Sequence, residues 1–212
     1  MRCPVCEGPH GQHFQTIEGR AYARCGQCDA TFLLPAHLPT PEVERAEYEL
    51  HRNTEDDAGY RAFLSRLATP LLQRVAPGSQ GLDFGCGPGP VLAAMLREAG
   101  LHVALYDPFF HPDMAALDRR YDFITCSEVV EHFHQPAHEF RRLNRLLAPG
   151  GWLAVMTRFQ TDDDRFAQWH YRRDPTHVVF YREATFAHLA RLQGWTCEVP
   201  SPHVVLMRKA LT

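Results

Sequence analysis

A glycine-rich loop lies in the stretch Leu82-Asp83-Phe84-Gly85-Cys86-Gly87-Pro88-Gly89. An acidic residue stands in an apolar strand pattern two positions before three alternating glycines, and a helical pattern opens directly after them. Glycines let a backbone approach a ligand where a β-carbon would collide, and a helix N-terminus offers N–H groups to polar ligand atoms. The stretch therefore predicts a ligand site in which Asp83 accepts a hydrogen bond from an ammonium group. A tight structural turn is the alternative.

Downstream of this loop, apolar runs alternate with helical patterns, which is the rhythm of a parallel sheet with crossover helices in an α/β fold. Asp107 ends the next strand pattern about 20 residues on, where a carboxylate can bind both hydroxyls of a ribose. The predicted strands are 81–84, 102–106, 123–126, 152–157, 196–199 and 203–207. The predicted helices are 42–48, 60–75, 90–99, 137–147 and 182–193.

The spacing of Asp83, the glycines and Asp107 resembles motif I and the ribose-binding acid of class I S-adenosylmethionine-dependent methyltransferases. The G-x-G-x-x-G pattern of dinucleotide-binding domains is absent. Residues 121–128 resemble the family's fourth strand and 148–152 its L-x-P-G-G turn. The resemblance implies a Rossmann-like doubly wound sheet and S-adenosylmethionine as cofactor. The cofactor-binding residues that it implies are Asp83, Gly85, Cys86, Gly87, Gly89, Asp107, Pro108, Ser127 and Glu128.

The third strand of that family has little room in this chain. Only about fourteen residues separate Asp107 from Tyr121, which is short for a helix, a strand and a loop. We therefore expect the third strand to be truncated or irregular.

Two C-x-x-C pairs lie near the N-terminus, one at Cys3 and Cys6 and one at Cys25 and Cys28, with eighteen residues between them. This is the spacing of a four-cysteine zinc ribbon, in which both pairs bind one tetrahedral ion. Redox-active dithiols are the alternative. Four cysteine ligands leave no open coordination position, so the pattern predicts a structural rather than a catalytic Zn²⁺.

A second set of candidate residues follows the fourth strand. On a helical turn Glu128, Glu131 and His132 would lie at i, i+3 and i+4 on one face, and His177, in a later loop, would complete the cluster. This pattern resembles ubiquinone-biosynthesis O-methyltransferases and small-RNA 3′-terminal 2′-O-methyltransferases. The resemblance implies that the four residues bind Mg²⁺, Mn²⁺ or Zn²⁺ and lower the pKa of a hydroxyl acceptor. The alternative is a site without metal, where His132 or His177 is the general base. We select His132, His177 and Glu131 as catalytic candidates.

The composition is that of a folded globular protein, with 45% hydrophobic and 22% charged residues. A formal net charge of −3 does not favour the basic footprint of a nucleic-acid-binding protein. Neither a secretion signal nor an apolar stretch of membrane-spanning length is visible, so we expect a cytoplasmic protein without a membrane partner. Prolines between 35 and 41 mark a boundary. The predicted domains are a zinc ribbon (1–34), a helical connector (35–77) and a class I methyltransferase domain (78–212).

These patterns predict an S-adenosylmethionine-dependent enzyme that methylates an oxygen of a small-molecule acceptor. Two alternatives stay open. One is an RNA base or ribose methyltransferase that recognises RNA through the zinc ribbon, and the other is a non-catalytic cofactor-binding or scaffold protein. The sequence determines neither the acceptor nor the oligomeric state.

Overall fold

The computed structural model of the chain describes residues 1–50, 54 and 56–211. Residues 51–53 and 55 of the predicted connector, and residue 212 of the predicted methyltransferase domain, lie outside the described residues. The strands are β1 (Gly11–Ile17), β2 (Arg20–Cys25), β3 (Thr31–Leu33), β4 (Gln80–Phe84), β5 (His102–Tyr106), β6 (Tyr121–Ser127), β7 (Leu147–Met156), β8 (Val179–Phe180), β9 (Trp195–Ser201) and β10 (Val204–Lys209). The α-helices are α1 (Pro41–Tyr48), α2 (Ala58–Leu72), α3 (Val91–Glu98), α4 (Pro136–Leu146) and α5 (Glu183–Gln193).

The larger sheet has the strand order β5-β4-β6-β7-β10-β9. The pairs β4 with β5, β4 with β6 and β6 with β7 are parallel. Strand β10 is antiparallel to both β7 and β9. Parallel neighbours need crossover connections, and α3 and α4 supply two of them. The prediction of a Rossmann-like α/β sheet is confirmed.

The sheet ends at β5, on the side where the family's third strand would pair. Between Asp107 and Tyr121 the described residues form an isolated bridge from Asp107 to His111 and a short 3₁₀ helix, Met114–Leu117. The connection is too short for a full helix and strand, so the chain crosses directly to β6. The expected irregularity is present.

Helices cover both faces of this sheet. One apolar cluster contains Leu67 of α2, Leu96 of α3 and Phe123 of β6, all fully buried. On the other face, Phe140 of α4 and Phe186 of α5 are buried in a second cluster. Burying one such side chain contributes about 1.5–3 kcal/mol, so the two layers are the main source of stability. None of the described helices has the length and apolar composition required to cross a bilayer.

A smaller antiparallel sheet carries the N-terminal cysteines and has the order β1-β2-β3-β8. Its first three strands come from the N-terminal segment, whereas β8 comes from the connection between β7 and α5. Thr31 pairs with Phe180, and Phe32 pairs with Val179. The N-terminal sheet is therefore completed by a strand from the predicted methyltransferase domain.

Candidate active site

The glycine loop connects β4 to α3 through backbone conformations that only glycine adopts readily. Gly85 has a φ of 75° and Gly87 a φ of 64°, both in the left-handed region. A β-carbon on Gly85 would also lie 2.7 Å from the Cγ atoms of Val129. Two of the three glycines are therefore required by the turn itself, and the turn brings the backbone against the end of β6.

Asp107, at the end of β5, ties this loop to the neighbouring strand. Its Oδ2 accepts a hydrogen bond from Gly87 N at 3.0 Å. Its Oδ1 accepts from the backbone N–H groups of Phe109 at 2.8 Å and Phe110 at 3.1 Å. A carboxylate has about four lone-pair sites, so Asp107 retains the capacity to accept a ligand hydroxyl as well.

Asp83 lies in β4 beneath the loop and is buried. The Thr125 hydroxyl donates to its Oδ1 at 2.7 Å. Burial raises the pKa of Asp83 to about 6, and the Thr125 hydrogen bond opposes that rise only in part. A carboxylate held in this way favours a cationic ligand group, because the cation offsets the cost of burying the charge.

All nine of the predicted cofactor-binding residues line two cavities that meet beside Gly85, Glu128 and His132. The cavity of about 360 Å³ contains Asp83 and the glycines, and that of about 570 Å³ contains Asp107 and Pro108. The Ser127 hydroxyl is buried at the first cavity and has no hydrogen-bond partner among the described residues. An unpartnered buried hydroxyl fits a site that a polar ligand completes.

The three catalytic candidates come together beside this junction. Glu131, His132 and His177 offer ligand atoms that lie within 4.8 Å of one another. The predicted helical turn is not formed, because Glu128 has a left-handed φ of 53° and only Val130–His132 forms a 3₁₀ helix. The expectation that Glu128 shares a helix face with Glu131 and His132 was therefore wrong. Glu128 lines both cavities instead.

Backbone carbonyls fix the orientation of both histidine rings. His132 Nδ1 lies 3.1 Å from the carbonyl oxygen of Thr176, and His177 Nδ1 lies 2.6 Å from that of Tyr171. A carbonyl oxygen only accepts, so Nδ1 of each ring is the donor in this contact and a metal would be bound through Nε2. Metal-binding histidines commonly show this arrangement.

The carboxyl group of Glu131 is fully buried, and Tyr171 holds one of its oxygens. The Tyr171 hydroxyl donates to Oε1, whereas Oε2 has no hydrogen-bond partner among the described residues. Burial, followed by the charge of Glu128, raises the pKa of Glu131 well above its ordinary value. Burial also raises the pKa of Glu128 to about 7. Ionising a buried carboxyl group beside a second, partly buried one is unfavourable, and a divalent cation would offset that cost.

Tyr171 and Asp174 also lie against this cluster, although no sequence pattern pointed to them. The Tyr171 ring packs against the His177 ring at a centroid distance of 4.1 Å. Asp174 Oδ2 lies 3.6 Å from His177 Nε2. The signal in the sequence is weak, since one residue ends the aromatic run 169–171 and the other begins an ordinary Asp-Pro turn.

The four N-terminal cysteines converge as the spacing predicts. Cys3 Sγ lies 3.7 Å from Cys28 Sγ, and Cys6 Sγ lies 3.6 Å from Cys25 Sγ. All four sulfur atoms lie within 4.8 Å of one another. Tetrahedral Zn–S bonds of about 2.3 Å require sulfur atoms about 3.8 Å apart, so the set fits a zinc ion.

A family model described as a methyltransferase domain matches residues 57–198. The ubiquinone biosynthesis O-methyltransferase of Serratia proteamaculans is 37% identical over 77 residues, which is 36% of this chain and 32% of that protein. The protein of the same name from Proteus mirabilis is 32% identical over 86 residues, or 41% of this chain and 35% of that protein. The chain spans about a third of the length of these curated relatives.

A solved structure resembles most of the chain. The 1,6-didemethyltoxoflavin-N1-methyltransferase of Burkholderia thailandensis, with bound 1,6-didemethyltoxoflavin and S-adenosylhomocysteine, has a TM-score of 0.54 and 20% sequence identity. The match covers 94% of this chain and 99% of that one, and it supports the fold. The family match includes the glycine loop, Asp107 and the Glu131 cluster. The chain therefore belongs to this methyltransferase family, the class I S-adenosylmethionine-dependent methyltransferases.

Proposed function

We propose that this protein transfers the methyl group of S-adenosylmethionine to a hydroxyl oxygen of a small-molecule acceptor, with a divalent cation bound at Glu131, His132 and His177. The observation that carries the proposal is the unpartnered, buried Oε2 of Glu131 beside two histidines whose Nδ1 protons are held by backbone carbonyls. One carboxylate and two imidazoles suit Zn²⁺ or Mn²⁺ and would leave coordination positions for an acceptor. Such a cation polarises a hydroxyl group and lowers its pKa.

The protein's own residues have separate tasks in this proposal. Asp83 and Ser127 would hold the amino-acid end of the cofactor, and Asp107 its ribose hydroxyls, as their placement along the two cavities suggests. The cofactor supplies an electrophilic methyl group on a sulfonium. The transfer is an in-line displacement, so the remaining task is to hold the acceptor oxygen in line and weaken its O–H bond. Without a metal, His132 or His177 would act as the general base.

The walls of the cavity beside the cluster support a planar acceptor. Tyr60 and Phe63 of α2 line it together with His132 and His177, and their rings stack at 6.1 Å. Flat aromatic walls favour a planar acceptor, and a phenolic hydroxyl matches both the walls and the cluster. The names of the curated relatives, which are O-methyltransferases of ubiquinone biosynthesis, also support a hydroxyl acceptor.

The test combines metal binding with acceptor choice. Mn²⁺ is titrated calorimetrically into the zinc-loaded full chain, and methyl transfer from labelled S-adenosylmethionine is measured with phenols, catechols and anilines of matched shape. Glu131→Gln should weaken Mn²⁺ binding by about a hundredfold and abolish transfer to the phenols. Glu183→Gln, at an exposed position of α5, should change neither. Unchanged Mn²⁺ binding in Glu131→Gln, or transfer to anilines alone, would contradict the proposal.

We infer in addition that Cys3, Cys6, Cys25 and Cys28 bind one structural Zn²⁺. The support is the sulfur–sulfur spacing, which matches tetrahedral coordination. Elemental analysis should find one zinc per wild-type chain and none in Cys25→Ser. Cys197→Ser, a change outside the cluster, is the matched control and should retain zinc. A full zinc content in Cys25→Ser would refute the site.

A further inference from the structure

The candidate active site depends on a long connection with little regular structure. Residues 157–182, between β7 and α5, are named here the active-site segment, and they carry Tyr171, Asp174 and His177. Apart from the two-residue strand β8, their regular structure is two short 3₁₀ turns, Phe166–Gln168 and His170–Arg173. Short turns are not stable alone, so contacts with other parts of the chain must hold these residues in place.

Aromatic side chains of the active-site segment pack against the N-terminal sheet. Phe166 lies edge-on to Tyr22 at 5.2 Å and to Phe14 at 5.4 Å. Phe180 contacts the same Tyr22 at 6.2 Å. Trp169 contacts both Phe166 and Phe180. Because aromatic side chains contribute most of the burial in such a contact, the apolar anchor of the segment lies in residues 1–34.

Backbone hydrogen bonds continue this contact into the active site. Leu33 N donates to Val178 O at 2.8 Å, and Val178 N donates to Glu131 O at 2.9 Å. Val178 directly follows His177, so one residue is bonded to the N-terminal sheet on one side and to the Glu131 backbone on the other. The position of β3 thereby fixes the backbone that carries two residues of the cluster.

Polar contacts bind the same two parts of the chain at further points. Arg24 Nη2 lies 2.6 Å from Asp163 Oδ1. Arg20 Nη2 donates to Pro175 O at 3.0 Å, two residues before His177. A partly exposed ion pair and a single hydrogen bond each contribute little stability, so we assign these contacts a role in aligning the segment.

We propose that the four-cysteine module, residues 1–34, is an internal support that holds the active-site segment in its binding geometry. Cys25 ends β2, and Cys28 lies in the turn before β3, so a zinc ion on these thiols would fix the hairpin on which β8 and the aromatic anchor rest. Tyr171, Asp174 and His177 are then positioned by a module that contributes no ligand to their cluster. The functional part of this inference rests on the proposed function, whereas its structural part does not.

The structural part is tested by hydrogen–deuterium exchange of the full chain, read for residues 157–182. Tyr22→Ala removes the aromatic anchor and leaves all four cysteines in place. Arg20→Ala is a milder variant that removes the contact with Pro175. Leu71→Ala, a buried position of α2 in the other apolar cluster, is the matched control for general loss of stability.

Tyr22→Ala should accelerate exchange in the active-site segment by about tenfold or more, and Arg20→Ala by a smaller factor, while both retain zinc. Mn²⁺ affinity should fall about tenfold in Tyr22→Ala, while S-adenosylhomocysteine affinity stays within about threefold, because the glycine loop is outside the support. Exchange that stays at the wild-type rate in both variants would overturn the proposal. So would an equal acceleration by Leu71→Ala. A wild-type chain that binds no Mn²⁺ would refute the metal site, and the exchange rates would still decide the role of the support.

Discussion

Replacing Asp83 with asparagine should stabilise the ligand-free protein at neutral pH and weaken cofactor binding. Burial raises the pKa of Asp83 to about 6, whereas an aspartate in an unfolded chain has a pKa of about 3.9. Between these two values the unfolded chain has lost a proton that the folded chain retains, so stability falls as the pH rises. A shift of about two pKa units corresponds to about 3 kcal/mol, at 1.36 kcal/mol per unit.

The assay is urea denaturation of wild type and Asp83→Asn, without cofactor, at several pH values between about 5 and 8. From pH 5 to pH 8 the unfolding free energy of the wild type should fall by about 1.4 kcal/mol relative to that of the variant. This is about half of the full effect, because the other half is already lost between the pKa of the unfolded chain and pH 5. Comparing the two proteins at each pH cancels the contributions of the other titrating groups, which both proteins share. S-adenosylhomocysteine affinity should fall at pH 7.5, because the neutral amide no longer attracts an ammonium group. A stability difference that does not vary with pH would refute the reasoning.

Three further substitutions test other parts of the site. Asp107→Ala should weaken S-adenosylhomocysteine binding about ten- to a hundredfold, as measured by calorimetry. The substitution removes the carboxylate that would accept hydrogen bonds from the ribose hydroxyls and that holds the glycine loop. Unchanged affinity would contradict the assignment. Gly81→Ala would place a β-carbon 2.0 Å from the Phe123 ring, so urea denaturation should show a loss of about 1–3 kcal/mol; wild-type stability would mean that the two strands separate easily. Tyr171→Phe removes the hydroxyl that donates to Glu131, so Mn²⁺ binding should weaken about tenfold while the fold stays intact. If the variant binds Mn²⁺ as tightly as the wild type, the hydroxyl does not position Glu131.

Much of the fold was predictable because its signals are local. The alternation of strands and helices after Gly81 reflects side-chain periodicity, and five of the six strands of the large sheet were predicted to within about two residues at each end. The exception, β7, begins five residues before its predicted start of 152, at Leu147, because the Pro-Gly-Gly turn is itself included in the strand. The cysteine pairs were equally local, since C-x-x-C spacing is readable without any tertiary information.

The parts of the site that were missed depend on contacts between distant residues. Nothing near Val179 or Phe180 indicates that they pair with Thr31 and Phe32, because pairing of strands so far apart has no local pattern. Glu128 was assigned to a helical turn from its spacing alone. A left-handed φ is uncommon for glutamate, and here the turn after β6 requires it against local preference.

The extent of the apolar core explains why the N-terminal module and the active site are linked. A segment of about 35 residues is too short to bury a core of its own and needs a metal or a partner surface. Here Tyr22 and Phe32 belong to the same buried cluster as Phe140 and Val155 of the methyltransferase fold, so the module completes a core that the rest of the chain begins. Much of that contact is made by the active-site segment, whose regular structure is limited to two short 3₁₀ turns and a two-residue strand. The N-terminal module and the active-site segment therefore each need the other to bury their apolar side chains. Loss of the zinc site should increase the mobility of the active-site segment before it affects the large sheet.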